Sequence, residues 1–578
     1  MAIEKSNPVP PFVSYCAALI PTVFDDSLSY YEALCALSKW LQDNLVNVVN
    51  NNADVTESYI KMTEEMKSYM DNYFDNLDVQ EEINNKLDAM VEAGTLQEII
   101  TTYIQSNVAW TFDTVADMKN ATNFVAGSYA QTLGFYAVND GGGAMYIISD
   151  TGTANEMDVI AVGDLYANLV TLDDVNVKKF GAHGDGSTDD TTFIQRAIDY
   201  MSVRNGGVVT IPESTDAYIF TEIVVKEDIT LKGTGGVLKL KDSTCVAADT
   251  KYYLVHNLIE DSGYDNVTFD SLIIDCNKAN QTAALVADGI TVIGANCVIK
   301  DCYIYNTFDS GIMFSRVTNS QCINNRIDGA GDCGIYINDG TGSDAYENVV
   351  SGNRITNSVA SGIALKRISQ RCIVTNNAIY TAGYGITFER ASTDSDFSLN
   401  SIVADNEIRD AAVGIQMQSS DYVAISGNRI ENCQTGINLT GLSRYCNISS
   451  NIISGASTGT ITYRGGIMIG TSAVGTPSYN TIVGNTIKMP ASYGIYAIDL
   501  AHPADQGMYN IISNNTIISG SNNAIRISAQ YTLNLVTGNM LNGTTYDILF
   551  DSSTTGNKTD ANWLVNGTSL NLDDNKLR

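Results

Sequence analysis

This sequence has little of what several classes of protein require. Only three of its 578 residues are histidine, and its eleven cysteines include no Cys-x-x-Cys pair, so no metal site and no cofactor are expected. Lysine and arginine number 33 against 65 aspartate and glutamate, which gives a net charge of −32. That charge disfavours nucleic acid and anionic membranes as partners.

Long hydrophobic runs and a secretion signal are also missing. The apolar stretch "FVSYCAALI" (12–20) is too short to span a bilayer, and the residues before it carry one Glu and one Lys rather than a basic run. Any export is therefore expected to use another route. Cysteines within apolar runs, as in "NCVIKDC" (296–302), are predicted to be reduced and buried.

What the sequence does have is a repeat. The pentapeptide Ser-Gly-Asn-Arg-Ile occurs at 351–355 and at 426–430, and alignment on its Asn gives ten consecutive copies. The Asn column is Cys302, Asn325, Asn353, Asn377, Asn406, Asn428, Asn451, Asn485, Asn515 and Asn539. An apolar residue stands two positions after each of these and another three positions before it. Gly-Ile pairs, at 289, 311, 334, 362, 385, 414, 436, 466 and 494, recur every 22 to 30 residues, and Ala524-Ile525 follows.

This period predicts a mainly β fold, a right-handed parallel β-helix over 276–550. Each repeat is one coil, its Ile and Val side chains point inward, and its Asn occupies a bend between strands. Loops between each Gly-Ile strand and the next strand vary most in length, and such loops often carry binding sites.

Four other segments complete the predicted organisation. Heptad-like spacing, as in Val55, Tyr59, Met62 and Met66, predicts a helical coiled coil over 28–106, although an amphipathic helix packed on its own chain fits the same pattern. Residues 107–175 are predicted to form a small α+β connector domain. Residues 176–275 open the β-helix, and 551–578 form a C-terminal tail. Asp189 and Asp190 are predicted to cap a helix rather than to catalyse a reaction.

Several stretches resemble a known group of proteins. "FGAHGDGSTDDTTFIQRAID" followed by "GGVVTIP" resembles the opening segment of pectate-lyase-like β-helices used in phage tailspikes. "FDTVADMKNAT" and "VAGSYAQTLGFYAVNDGGGAMYII" resemble the small domain of tail appendage proteins in short-tailed phages, and "INNKLDAMVEAGTLQEII" and "LSYYEALCALSKWLQDNL" resemble tail attachment segments from phages of Gram-positive bacteria.

The resemblance implies a receptor-binding spike of the virion tail. It implies a homotrimer held to other phage tail or neck proteins through the N-terminus, with residues 1–27 as the attachment segment. It also implies binding, and often cleavage, of a host surface polysaccharide or wall teichoic acid. The active-site signatures of pectate lyase and polygalacturonase are not visible, so a depolymerase, a non-catalytic receptor-binding spike and, less favoured, a free polysaccharide-degrading enzyme stay open.

Candidate site residues follow from counting along each Gly-Ile strand. Positions four and five after the glycine bring charged side chains from successive coils onto one outer face. Two carboxyl groups about 5–9 Å apart suit glycoside hydrolysis. The catalytic candidates are Asp332, Asp339 and Glu389, with Asp309 in the same position as Asp332 one coil earlier. The candidates for binding an anionic polymer are Arg316, Lys366, Arg367, Arg390 and Tyr336.

Two further groups are weaker candidates. The loop 499–507 places His502 near Asp499 and Asp505, which would suit a general base, although a lone loop histidine is more often neither base nor ligand. Aromatic residues around the first charged coils suit stacking on sugar rings or burial in the core: Tyr303, Tyr305, Phe308, Phe314 and Tyr336.

Overall fold

The computed structural model describes residues 86, 88–93, 95–96, 109–122, 124–170, 174–259, 262–284, 286–338, 345–366, 369–381, 383–389, 398–455, 464–470, 477–490, 496–501, 507–519, 523–551, 554 and 556–565. The predicted attachment segment and nearly all of the predicted coiled coil lie outside the described residues. The chain divides into two compact units at Leu172/Asp173, and each is described by itself.

The first unit contains a small five-stranded sheet and one short helix. Thr114 caps the helix Val115–Lys119, because its hydroxyl accepts a hydrogen bond from the Asp117 N–H (3.1 Å). One strand pair is parallel and the other three are antiparallel. In the order in which they pair, the strands are Ala109–Phe112, Tyr129–Thr132, Met145–Ser149, Leu165–Val170 and Val159–Val162.

The second unit is a parallel β-helix of three sheets, named here in the order in which each coil visits them. Sheet 1 contains the Gly-Ile strands: Ile223–Val224, Lys251–His256, Val286–Ala295, Ile312–Thr318, Cys333–Asn338, Ser361–Lys366, Tyr384–Glu389, Val413–Gln418, Thr435–Thr440, Gly465–Ile469, Tyr496–Leu500, Ile525–Ile527 and Ile548–Phe550, with Ala345–Tyr346 and Ser369–Gln370 alongside.

Sheet 2 follows sheet 1 in each coil and has 15 strands: Asp174–Asn176, Gly207–Pro212, Ile229–Thr234, Thr268–Asp270, Val298–Lys300, Gln321–Ile323, Val349–Ser351, Ile373–Thr375, Ile402–Ala404, Ala424–Ser426, Asn447–Ser449, Thr481–Val483, Ile511–Ser513, Leu535–Thr537 and Lys558–Asp560.

Sheet 3 closes each coil and has 14 strands: Ala217–Phe220, Val237–Leu240, Ile273–Asp275, Tyr303–Tyr305, Arg326–Asp328, Arg354–Thr356, Ala378–Tyr380, Glu407–Arg409, Arg429–Cys433, Ile452–Gly455, Thr486–Met489, Thr516–Ser519, Met540–Asn542 and Trp563–Leu564.

Short elements lie outside the three sheets. A helix at Thr191–Ser202 packs near the start of the β-helix, and 3₁₀ turns lie at Val177–Phe180 and Lys278–Asn280. Three two-stranded pairs join Leu258–Ile259 with Ser262–Gly263, Ser398–Leu399 with Ser420–Asp421, and Gly507–Met508 with Tyr531–Thr532.

The predicted apolar columns are confirmed. Ile304, Ile327, Ile355 and Ile379 pair coil by coil in sheet 3, and each is 0 % exposed. Buried isoleucines on every coil exclude water from the interior, and each buried Ile stabilises the fold by about 1.5–3 kcal/mol relative to an exposed one.

The predicted Asn column is a continuous buried ladder at the bend between sheets 2 and 3. The Oδ1 of Asn353 accepts hydrogen bonds from the backbone N–H and the Nδ2 of Asn325 (2.9 and 3.0 Å), while the Nδ2 of Asn353 donates to the Cys322 carbonyl (2.9 Å). The same bonds recur through the later coils. The bend thereby satisfies backbone groups that neither strand can pair.

A second ladder lies at the bend between sheets 1 and 2 and was not predicted. Its asparagines bond one another in the same way over the last coils: Asn480, Asn510, Asn534 and Asn557. Earlier coils use Ser320, Asn348 and Ser401 at this position. The residue at this position varies among Asn, Ser, Cys and Val, so no single residue type marks the column in the sequence.

Two predictions are wrong in detail. In the ninth coil Ile467 pairs with Ile498, so the ladder residue lies three positions after the predicted Ile495. Asp190 stands at the start of the helix, but its carboxylate does not cap it. That carboxylate accepts hydrogen bonds from the backbone N–H groups of His183 (2.7 Å) and Gly184 (3.0 Å), which fold back over the helix start.

Candidate functional site

Two carboxylates are stacked on neighbouring coils at the edge of sheet 1. The N–H of Asp332 donates to the carbonyl of Asp309 (3.1 Å), and the N–H of Asp309 donates to that of Ala287 (3.2 Å). The next coil continues the column with Ala360, whose N–H donates to the Asp332 carbonyl (2.9 Å). Asp309 and Asp332 are both half-buried. The column therefore has aspartate on two successive coils, between Ala287 and Ala360.

A third carboxyl group lies beneath this pair. Asp288 is 2 % exposed, and its Oδ1 accepts a hydrogen bond from the Ser310 N–H (2.9 Å). It occupies the position just before the first Gly-Ile pair, where the next two coils carry Ser310 and Cys333. Asp288 was not among the predicted residues, and this change of residue type within a column was the available signal.

Burial and neighbouring negative charge raise the pKa of two of these carboxyl groups, Asp309 and Asp288. Burial raises the pKa of Asp309 to about 6, and the nearby negative charge of Asp332 adds to the effect, while Lys366 and Lys278 oppose it. Burial also raises the pKa of Asp288 to about 8, with the charges of Asp309 and Asp332 contributing. A carboxyl group that keeps its proton near neutral pH is suited to act as a general acid.

Cations border the carboxyl groups. Lys366 Nζ lies 3.2 Å from Glu389 Oε2 and 4.8 Å from the centre of the Tyr336 ring. This contact arises from the register, since Lys366 pairs with Glu389 on the next coil. Lys278 approaches from the 3₁₀ turn: a Cβ atom on Gly331 would lie 2.9 Å from its Nζ.

The surroundings of Tyr336 keep its hydroxyl protonated. Burial raises the pKa of Tyr336 to about 12, with Lys366 opposing and Cys333 adding to the shift. The half-buried ring therefore offers a neutral hydroxyl and an aromatic face beside Lys366. A neutral hydroxyl next to a cation can hold a polar substrate group in a fixed orientation.

The structure brings together four of the residues predicted from the sequence: Asp332, Glu389, Lys366 and Tyr336. Arg316 lies in the same sheet, at a register shift, with a positive φ of 54°. Three predicted residues lie outside the described part of the chain: Asp339, Arg367 and Arg390.

The weaker candidates that the structure describes lie in different parts of the molecule and do not form one site. His502 and Asp505 lie outside the described residues, whereas Asp499 is buried in sheet 1, with Oδ1 3.2 Å from Arg526 Nε. Phe314 belongs to the core, and Tyr303 and Tyr305 stack on each other in sheet 3, with ring centres 4.8 Å apart.

The described residues contain neither a candidate metal centre nor a membrane-spanning helix. Within that part of the chain, no group of three or more His, Cys, Asp or Glu side chains is arranged to hold a metal ion. No described helix is long and apolar enough to cross a membrane.

Comparison with known proteins gives matches to two family profiles. Residues 237–402 match the right-handed β-helix region, and residues 396–503 match a family described as periplasmic copper-binding protein (NosD). The second match would imply copper, whose soft ligands are cysteine and methionine. In the described part of 396–503, Cys433, Cys446 and Met417 are buried in the β-helix core, so they do not form an accessible copper site.

Individual relatives are distant or match over short lengths. The chain is 40% identical to alginate lyase 7 of Azotobacter vinelandii over 76 residues, 12% of this chain and 9% of that protein. This chain thus covers only about a tenth to a seventh of the length of the curated relatives that it matches.

Among solved structures, the A-module of the A. vinelandii mannuronan C-5 epimerase AlgE6 is 18% identical, with a TM-score of 0.47 and coverage of 68% of this chain and 99% of that one. A tailspike protein mutant of E. coli bacteriophage HK620 in complex with a hexasaccharide is 12% identical, with a TM-score of 0.46 and coverage of 66% and 79%. The proteins with similar β-helices thus include phage tailspikes and enzymes that act on polysaccharides.

Proposed function

We propose that this chain is a phage tail spike that binds a host surface polysaccharide or wall teichoic acid and cleaves it at the outside of the cell. One observation carries the catalytic part: Asp309, with its raised pKa, stacks directly on Asp332 beside Lys366 and Lys278. The resemblance of the opening segment and small domain to tail proteins supports the virion assignment, as does the N-terminal resemblance, which also favours a homotrimer.

The acid and the second carboxylate have separate roles. Asp309 is half-buried, so it can reach a substrate, and it donates its proton to the oxygen of the leaving sugar. Asp332 supplies the carboxylate that attacks the anomeric carbon as the leaving sugar departs, and water then hydrolyses the glycosyl–enzyme bond. Neighbouring strands lie about 4.8 Å apart, close to the roughly 5–5.5 Å carboxyl separation of retaining glycosidases, so retention of configuration is expected.

The remaining residues bind rather than react. Lys366 and Lys278 neutralise an acidic group of the polymer, and Glu389 holds Lys366 in place through their ion pair. Tyr336 orients a sugar or phosphate oxygen through its hydroxyl. Asp288 is too deeply buried to touch a polymer, so it takes no direct part in the reaction. The match to a protein named alginate lyase agrees with an acidic substrate.

Asparagine substitution tests the assignment. Purified protein is incubated with capsular polysaccharide, wall teichoic acid and alginate, and new reducing ends, unsaturated uronate and released phosphate are measured. Asp309→Asn and Asp332→Asn should each lower the rate about 10²–10⁴-fold while polymer binding persists. Asp301→Asn is the control, because Asp301 is exposed at a bend and has a positive φ that Asn tolerates.

The pH profile adds a second criterion. Since Asp309 must be protonated, activity should fall as the pH rises through about 6. Full activity in Asp309→Asn would assign the chemistry to other residues. If the protein bound a polymer but released none of the three products from any of the polymers, it would be a non-catalytic receptor-binding spike.

A further inference from the structure

The outer face of sheet 2 has no charged side chain over nine successive coils. The first and third residues of each strand point outward there, and every one of these positions belongs to the described chain. We call this surface the neutral face. Its residues are Gln321, Ile323, Val349, Ser351, Ile373, Thr375, Ile402, Ala404, Ala424, Ser426, Asn447, Ser449, Thr481, Val483, Ile511, Ser513, Leu535 and Thr537.

The neighbouring sheet shows that this is not a general property of the fold. The corresponding outward positions of sheet 3, on the nine strands of the same coils, hold eight charged side chains: Arg326, Asp328, Arg354, Glu407, Arg409, Arg429, Glu431 and Lys488. Charge also returns at both ends of sheet 2, with Lys300 before the neutral face and Lys558 after it. In a chain with a net charge of −32, this face has been kept free of charge.

The neutral face is large enough and apolar enough to bind a partner. Eight coil steps of about 4.8 Å give a length of about 38 Å, and three-residue strands give a width of about 10 Å. Ile373, Ile402 and Ile511 project from it with 38, 41 and 39 % of their surface exposed. On a soluble protein the largest exposed apolar patches, of a few hundred Å², are often functional.

A stack of four tyrosines runs along one border of the neutral face. Tyr422, Tyr445, Tyr479 and Tyr509 stand at the bend before four successive strands of sheet 2, and their ring centres are 4.8, 5.0 and 5.2 Å apart. Each is between 41 and 55 % exposed. Ring faces cover one another, so edges and hydroxyls face solvent.

The backbone conformation of these tyrosines is energetically unfavourable for a residue with a bulky side chain. Their φ angles lie between 56° and 60°, the left-handed region that suits Gly and Asn. The equivalent bend between sheets 2 and 3 uses mainly Asn, Asp and Gly for the same conformation, as at Asn324, Gly352 and Asp405. Tyrosine occupies this bend on four successive coils, each time at an energetic cost, which indicates a function for the exposed rings.

We propose that a second copy of this chain docks on the neutral face, with the tyrosine stack at the border of the contact. Two strongly acidic chains repel one another, but salt limits that repulsion to about 8–10 Å, so contact is favoured where neither copy presents a charge to be buried. Interface centres are depleted in charge and enriched in tyrosine. The proposal is independent of any catalytic role for the chain.

A polymer is the less favoured occupant of this face. Sugars pack on the faces of aromatic rings, and here neighbouring rings already cover most of those faces. An acidic polymer would also need cations, and none of the 18 outward positions carries one.

Charge placed on the face tests the docking. Ala424→Lys with Thr481→Lys introduces two cations into the neutral face, and Thr356→Lys with Ala378→Lys is the matched control on sheet 3. Both pairs make the net charge less negative, so weaker association in the first cannot come from general repulsion. Light scattering on the full chain gives the mass as a multiple of 62.3 kDa, and tetranitromethane followed by peptide mapping reports on the tyrosines.

In the unsubstituted full chain and in the sheet 3 control variant, the four stacked tyrosines should be nitrated about tenfold more slowly than Tyr136, which is 50 % exposed. In the neutral-face variant the same tyrosines should lose that protection. The nitration readout is local, so it remains informative if other segments also hold copies together. Rapid nitration in the full chain, or unchanged protection in the variant, would overturn the proposal. Protection that appears only after polysaccharide is added would assign the face to the polymer instead.

Discussion

Removing one asparagine from the ladder should loosen the β-helix locally, and Asn428→Ala is the clearest case. Asn428 is 0 % exposed, and four hydrogen bonds of its side chain would be lost. Oδ1 accepts from the N–H and the Nδ2 of Asn406 (3.0 and 2.9 Å), and Nδ2 donates to the Val403 carbonyl and to Asn451 Oδ1 (2.9 Å each).

The expected magnitude follows from those four bonds. A net contribution of about 1 kcal/mol each gives a loss of about 4 kcal/mol, because the buried groups left behind find no water. A free-energy change of that size corresponds to an opening equilibrium about 10³-fold more favourable.

Hydrogen exchange measured by mass spectrometry suits this prediction because it does not require two-state unfolding of the whole chain. Peptides covering 403–430 should exchange about 10³-fold faster, whereas peptides from 208–240 should be unchanged. Asn447→Ala is the control, since Asn447 is exposed on the outer face of the coil. If Asn428→Ala matched that control to within about 0.5 kcal/mol, the ladder would not be a source of stability.

Two other predictions test the packing and the buried charge. Burial raises the pKa of Asp288 to about 8 in the fold, so the folded state holds a proton that the unfolded chain releases above about pH 4. The melting temperature should therefore fall as the pH rises from about 4 to about 8, and this pH dependence should be weaker in Asp288→Asn. Gly385→Ala should lower the melting temperature sharply, because its Cβ would lie 2.4 Å from a backbone carbonyl of the next coil. Gly455→Ala should be milder, since the nearest atom to its Cβ is the flexible end of Met489, with Pro490 Cδ farther off at 3.2 Å; equal effects would contradict this account.

The regular part of the fold could be predicted from the sequence because identical positions of successive coils share one environment. Ile327 and Ile355 face the same interior, and Asn325 and Asn353 close the same bend, so repetition reports the geometry directly. The prediction failed where the repeat changes its length. In the coil that contains Tyr496–Leu500, Ile498 rather than Ile495 pairs with Ile467, and spacing alone cannot reveal that shift.

The site was harder to predict because it depends on depth as well as on register. The count along the strands found Asp332, Lys366 and Glu389 and placed Asp309 next to Asp332. It missed Asp288, since nothing in the sequence says that this carboxyl group is buried and has a raised pKa. It also missed Lys278, which reaches the site from a turn outside the repeat.

Residues that differ from the rest of their column are therefore the candidates for function in this fold. The edge column of sheet 1 has alanine at 287 and at 360. Between them stand Asp309 and Asp332, and burial together with the neighbouring negative charge disfavours the ionised form of Asp309. The same argument applies to Tyr422 and Tyr445, which replace the residues that a left-handed bend prefers. In both places the residue present is not the one that the local structure favours, and this is the reason for proposing a ligand at the first and a second copy of the chain at the second.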